Sequence, residues 1–128
     1  MVKKILWLLT MATLFVNCGT NIEQQNLDIY VTGRVINQNN YGIPGINVYV
    51  QRGKWGNYVG PSYENYEILT TNSSGNYNYI VKNDTYVYRI CCGVPSGYTL
   101  IGAGCKDVNQ SIIDGHTLPN NIVFKLNQ

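Results

Sequence analysis

From residue 28 onward the chain alternates short runs of period-two hydrophobicity with turn signals about every ten residues, the spacing of an all-β sandwich or barrel. Residues 28–37, "DIYVTGRVIN", place Ile29, Val31, Gly33 and Val35 on one face and Tyr30, Thr32 and Arg34 on the other. This predicts a first strand with the former set inward. "QNNYGIPG", dense in Asn, Gly and Pro, predicts a turn, and "INVYVQ" then brings Ile46, Val48 and Val50 into phase. Residues 52–65, "RGKWGNYVGPSYEN", read as the longest irregular stretch. "YEILTT" leads into a tight "NSSG" turn, "NYNYIV" sets Tyr77, Tyr79 and Val81 on one face, and "TYVYRICC" sets Tyr86, Tyr88, Ile90 and Cys92 on another. Between Thr99 and Pro119 the pattern weakens to one strand near residues 107–113, before "NNIVFKL" closes the sheet through Ile122, Phe124 and Leu126. No segment sustains a helical period.

The first 17 residues break this pattern. Lys3 and Lys4 precede a largely apolar run from Ile5 to Val16, the layout of a secretory signal peptide. At twelve residues the run falls short of the roughly 20 that span a bilayer, so cleavage is the better reading. Cys18 follows directly, and "LFVNC" resembles a bacterial lipobox, with Asn17 where Gly, Ala or Ser is usual. That resemblance implies a lipoprotein signal peptide at 1–17 and diacylglycerol on Cys18; the bland alternative is an ordinary signal peptide with a coincidental cysteine. Polar, aperiodic residues 18–27 read as a lipidated tether, and 28–128 as the folded domain.

Composition agrees with the β reading. Eleven tyrosines and thirteen glycines in 128 residues suit pleated surfaces and tight turns. Nine basic residues face seven acidic ones, and removing Lys3 and Lys4 with the leader leaves seven of each. A neutral mature chain lacks the electrostatic footprint of a nucleic-acid binder.

"GRVINQNNYGIPGINVYV", "TTNSSGNYNYIV", "TYVYRICCGVPSGY" and "NIVFKL", taken in order, resemble the carboxypeptidase regulatory-like or transthyretin-like (Cna-B-like) domain. The match runs over residues 29–126. It implies a seven-stranded Ig-like or transthyretin-like β-sandwich, with Asn72 where the family often has Asp and with a structural role for the turn that follows it. Related pilin-type B domains form a Lys–Asn isopeptide bond assisted by a buried acid. Here Arg34 stands in place of the lysine and no acid occurs between Asp84 and Asp107, so that crosslink is not expected.

Candidate chemistry is sparse. The single histidine, His116, lies in a turn-like "DGHTLP", and Cys105, His116 and Asp114 have no spacing that would bring them together as a triad. Cys91, Cys92, Cys105 and His116 depart from zinc-ligand spacing, and no Gly-rich loop opens a helix, so neither metal nor cofactor is expected. The aromatic stretch contributes Trp55, Tyr58, Tyr63 and Tyr66. Such rings either cap one end of a small core, the reading favoured by its size, or form an exposed ligand surface for a glycan or protein. With Cys18 committed to lipid, three cysteines remain for one disulfide. Cys92 shares the core phase with Tyr88 and Ile90, whereas Cys91 shares the outer phase with Arg89, so Cys92–Cys105 is the expected bridge and Cys91–Cys105 the second choice.

These readings converge on a non-enzymatic module held by lipid to the bacterial cell envelope, at the outer membrane in a Gram-negative organism, with a structural or protein-interaction role. The alternative is a glycan-binding lipoprotein that uses residues 52–66, and its expected partners are the membrane and an envelope protein or glycan.

Overall fold

The structure, a computed structural model, describes residues 27–128. The leader, Cys18 and the tether through residue 26 lie outside the described residues. Ten strands follow in order: β1 (Ile29–Ile36), β2 (Asn47–Lys54), β3 (Ser62–Thr70), β4 (Asn76–Val81), β5 (Val87–Cys92), β6 (Thr99–Ile101), β7 (Cys105–Asp107), β8 (Ile112–Ile113), β9 (His116–Thr117) and β10 (Asn120–Asn127). One four-stranded sheet, A, has the order β4-β1-β10-β6; the other, B, has the order β3-β2-β5-β7; β8 and β9 form a separate hairpin. Of these pairings only β1 with β10 is parallel. The all-β sandwich matches the sequence expectation, with ten strands in place of seven.

Strict alternation explains the core. Along β1 every second residue is buried, and Ile29, Val31 and Val35 join Val48 and Val50 of β2, Tyr88 and Ile90 of β5 and Ile122, Phe124 and Leu126 of β10 in one apolar cluster between the sheets. At roughly 1.5–3 kcal/mol for each fully buried aliphatic or aromatic side chain, this cluster is the main favourable term for folding.

Gly33 is the inward β1 position without a side chain, and its register partners are Tyr77 on β4 and Ile122 on β10. The Tyr77 ring fills the space a Cβ at Gly33 would need, and its hydroxyl donates to the Ile122 carbonyl at 2.6 Å. One side chain therefore ties three adjacent strands, and burial pushes its phenol well above the ordinary pKa.

The turns follow from local chemistry. Gly45 and Gly75 take φ of 73° and 75°, as their places after Pro44 and within "NSSG" predict. Thr71, buried, accepts from the Ile46 amide at 2.9 Å and donates to the Ile43 carbonyl at 2.7 Å, locking the first turn against the second. Asn72 Oδ1 accepts from the amides of Ser74 and Asn76 at 3.0 and 2.9 Å, which a carboxylate would do equally well.

Two stretches differ from expectation. Residues 52–65 are not irregular throughout: β2 continues to Lys54 and β3 begins at Ser62, leaving a hairpin tip of 55–61. Arg52, Lys54, Ser62, Glu64 and Asn65 are polar on both faces, so alternation vanishes while backbone pairing persists, helped by the Arg52–Glu64 ion pair at 3.1 Å. Residues 99–119 hold four strands of two or three residues rather than one near 107–113, each too short to show a period. The Asp114-Gly115 pair, both at positive φ, makes the β8–β9 turn.

The connections gather at two ends. Residues 27–28, the 55–61 tip, the 82–86 turn and the 108–119 segment share one end, because β1 starts opposite the end of β4 and β5 starts opposite the end of β2. Turns 37–46, 71–75 and 93–98 share the other.

Tyr77→Phe leaves the ring in place and removes the bond to Ile122, with an expected loss of about 1 kcal/mol. Gly33→Ala forces a Cβ into that ring and the Ile122 carbonyl, with an expected loss of about 1–3 kcal/mol. Equilibrium urea denaturation followed by circular dichroism measures both.

Candidate functional site

On the outer face of sheet B, a polar ladder crosses all four strands. Gln51 Nε2 on β2 donates to Asn65 Oδ1 on β3 at 2.7 Å, and Gln51 Oε1 accepts from Arg89 Nε on β5 at 2.7 Å. The Arg89 guanidinium stacks 3.9 Å from the centre of the Tyr63 ring, a favourable cation–π arrangement. Tyr63 in turn reaches across β2 and β5 to Asp107 on β7, its hydroxyl donating to Oδ1 over a long 3.4 Å. Tyr63 pairs with Gly53, where a Cβ would meet the Ser62 carbonyl first and the edge of the Tyr63 ring at 3.2 Å. Partial burial first, and the Asp107 carboxylate second, hold the Tyr63 phenol above its ordinary pKa.

This ladder floors a groove of about 430 Å³ whose walls include Trp55, Pro61, Val87, Val108 and Gln110. Gln110 is fixed by its Nε2 bond to the Tyr86 carbonyl at 3.1 Å. The groove offers an indole, a stacked guanidinium, a carboxylate and an amide, a set suited to holding a polar ligand with flat faces.

The four aromatic residues singled out from sequence do not form one cluster. Trp55 and Tyr58 project from the 55–61 tip, and Tyr63 lies on the outer face of β3. Tyr66 is the bulged residue skipped by the β2–β3 register, and it stacks on Arg52, whose guanidinium lies 4.1 Å from its ring centre and 4.5 Å from that of Tyr86. None of the four belongs to the core cluster, so the reading in which the rings cap the core is corrected. The β2–β3 hairpin runs beyond the sheet and carries Trp55 and Tyr58 with it. Arg89, Asp107, Gln51 and Asn65 were not singled out from sequence. Ending the second strand at Gln51 hid the fact that outward Gln51 and Arg89 are direct neighbours.

The expected Cys92–Cys105 bridge is also corrected, because the disulfide joins Cys91 to Cys105. Those two residues are directly opposite in the β5–β7 ladder, 4.0 Å apart at Cα, and both project outward. Cys92 has the inward phase predicted for it and packs against the core, so it faces away from Cys105. Its thiol donates to the Gly93 carbonyl at 3.2 Å, and burial pushes it up to about 11. The Cys91 sulfur lies 3.4 Å from Gln51 Oε1, a contact without a proton to share. The disulfide thus borders the polar ladder and clips edge strand β7, with its Asp107, to the sheet. Among the described residues, no group of three His, Cys, Asp or Glu side chains is arranged to hold a metal ion. Cys18 lies outside the described residues.

No protein-family model and no curated protein matches the chain. Solved structures do resemble it. A mutant form of the shaft pilin spaA from Lactobacillus rhamnosus GG superposes with a TM-score of 0.55 and 13% identity, over 80% of this chain and 48% of the pilin. A streptococcal ancillary pilin gives 0.49 and 16% identity, over 77% of this chain and 32% of its own. The chain therefore spans about half the length of the shaft pilin it matches. At these identities the likeness to the shaft pilin shows the fold alone, an Ig-like β-sandwich.

Non-reducing peptide mapping is expected to recover a Cys91–Cys105 crosslinked peptide, and Cys91→Ser to cost about 3 kcal/mol for a loop of this length. Cys92 is expected to resist alkylation in the folded protein at neutral pH. The folded state keeps the Cys92 proton between the ordinary value of 9.0 and about 11. Its contribution to stability is therefore fully present below that window and is lost as pH rises through it. In pH-resolved denaturation, Cys92→Ala is expected to remove the part of the fall that begins near pH 9, below the ordinary 10.0 from which Tyr77, Tyr79 and Tyr88 are raised, and to leave the steeper fall above it.

Proposed function

We propose that this chain is a non-enzymatic, lipid-anchored β-sandwich module of the bacterial cell envelope, with a structural or protein-interaction role. The observation that carries it is how the outer face of sheet B spends its reactive groups. Arg89 is held by Gln51 and Tyr63, Tyr63 reaches Asp107, and the Cys105 sulfur is bonded to Cys91. Groups engaged with one another in this way rigidify a surface and favour holding a partner over activating a nucleophile. Likeness to a shaft pilin domain adds support from the fold, and the leader followed by Cys18 supports anchoring.

The groove beside Trp55 favours a second reading, in which the module binds a surface glycan. An indole wall and the Tyr63, Arg89 and Asp107 floor are the ingredients of sugar recognition, in which a ring stacks while fixed donors and acceptors meet hydroxyls.

Cys18→Ser is expected to abolish metabolic labelling by palmitate and to move the protein out of the membrane fraction. Retention of the label in that variant would overturn the anchor. For the glycan reading, an array signal from the wild type is expected to disappear in Trp55→Ala while the circular dichroism spectrum is unchanged.

A further inference from the structure

The two ends of the sandwich are unlike in chemistry. At the end where residue 28 enters, the 55–61 tip exposes Trp55 at 69%, Tyr58 at 99% and Val59 at 79%, and the β8–β9 hairpin exposes Ile112 and Ile113 at about half their surface. At the opposite end, the turns of Asn, Ser, Gly and Pro expose only Tyr41 and Val94 among large apolar residues. Scattered exposed hydrophobics are ordinary, but their collection on two projecting hairpins at one end is not.

That end is also built to hold its shape. Buried Asn120 donates to the carbonyls of Asn109 and Leu118 at 3.0 and 3.2 Å and accepts from the Asn109 amide at 2.7 Å, which pins the segment carrying Ile112 and Ile113. Thr117 Oγ1 donates to the Asp28 carbonyl at 3.3 Å, fixing the β8–β9 hairpin beside the point where the chain enters. Two of the carboxylates here are engaged: Asp28 pairs with Lys82 at 3.1 Å, and Asp84 accepts from the Tyr88 hydroxyl and the Tyr86 amide at 2.8 Å each. Asp114 occupies the β8–β9 turn.

We propose that this end docks on the bilayer surface, with Trp55, Tyr58, Val59, Ile112 and Ile113 entering the interfacial region beside the anchor. The inference rests on the reading of Cys18 as lipidated. Eight residues lie between Cys18 and Leu27, and the nine steps from one to the other span at most about 30 Å, close to the roughly 27 Å length of an eight-residue strand. A tether this short keeps the entering end near the membrane, and rings with an apolar body and polar tip prefer that boundary. The anchor supplies proximity and the two hairpins supply orientation.

Once the leader is removed, Trp55 is the only tryptophan, since the other is Trp7. The full-length lipidated protein is reconstituted into vesicles of phosphatidylethanolamine and phosphatidylglycerol, with and without bromine on the acyl chains. The expected result is flotation with the vesicles, a blue shift of Trp55 emission and its loss to bromine quenching. Ile112→Ser with Ile113→Ser, away from Trp55, is expected to weaken the quenching at unchanged flotation. Flotation without quenching overturns docking and leaves the anchor standing, the outcome expected if a glycan or protein covers the tip instead. Failure to float, with a mass lacking diacylglycerol, overturns the anchor and the docking built on it.

Discussion

The Tyr77 ring lying across Gly33 is the contact on which sheet A depends. Parallel β1 and β10 are the first and last strands of the described residues, so no hairpin guides their pairing, and their register has to be set by side chains. Tyr77 sets it from outside the pair. Anchored on β4, it fills the gap at Gly33 and ends on the Ile122 carbonyl of β10, so a slip by one residue would leave both the gap and the hydroxyl unmet. With that register in place, Ile122, Phe124 and Leu126 point at the same core as Val31 and Val35.

Sheet B repeats the device on its other face. Tyr63 lies beside Gly53 as Tyr77 lies on Gly33, but toward solvent, and its hydroxyl reaches a carboxylate rather than a backbone carbonyl. A tyrosine over a strand glycine is in both cases a way to cross strands with one side chain. Inward, the result is register; outward, it is the floor of the groove. A glycine–tyrosine pair therefore contributes stability in one sheet and a surface in the other, with the Tyr77 ring filling the space at Gly33 and the Tyr63 ring only bordering that at Gly53.

Much of the architecture was legible from alternation and turn chemistry. β1, β4 and β10 stand close to where period-two patterns place them, because each has one face in the core and one toward water, and β5 keeps the alternation although its outer face is covered. Legibility failed where that asymmetry is absent. Arg52, Lys54, Glu64 and Asn65 form strand without a buried face, and β6 through β9 are too short to have a period. The site suffered from the same cause. Trp55, Tyr58 and Tyr63 were visible as aromatic residues, but Arg89 and Asp107 acquire meaning only when β7 lies beside β5, a pairing of residues 18 apart that no local pattern announces. The cysteine phases were read correctly and the bridge was not, because the edge strand carrying Cys105 presents it outward.

That outward bridge also explains how so short an edge strand can belong to a site. Three residues of β7 pair with β5, and backbone bonds from the Cys92 amide to the Gly104 carbonyl at 2.8 Å and from the Val108 amide to the Tyr88 carbonyl at 2.9 Å extend the pairing at both ends, although every residue of β7 is exposed. Two side-chain ties add to it. Cys105 is bonded to Cys91 on the outer face, and Lys106 turns the other way to donate to the Val123 carbonyl of sheet A at 2.7 Å. The strand is thus fastened to its own sheet on one side and to the facing sheet on the other, and Asp107 follows directly. Its position opposite Arg89 is set by the β5–β7 ladder, which the disulfide and the Lys106 bond fasten on either face, so the groove's acidic group is held by ties to both sheets.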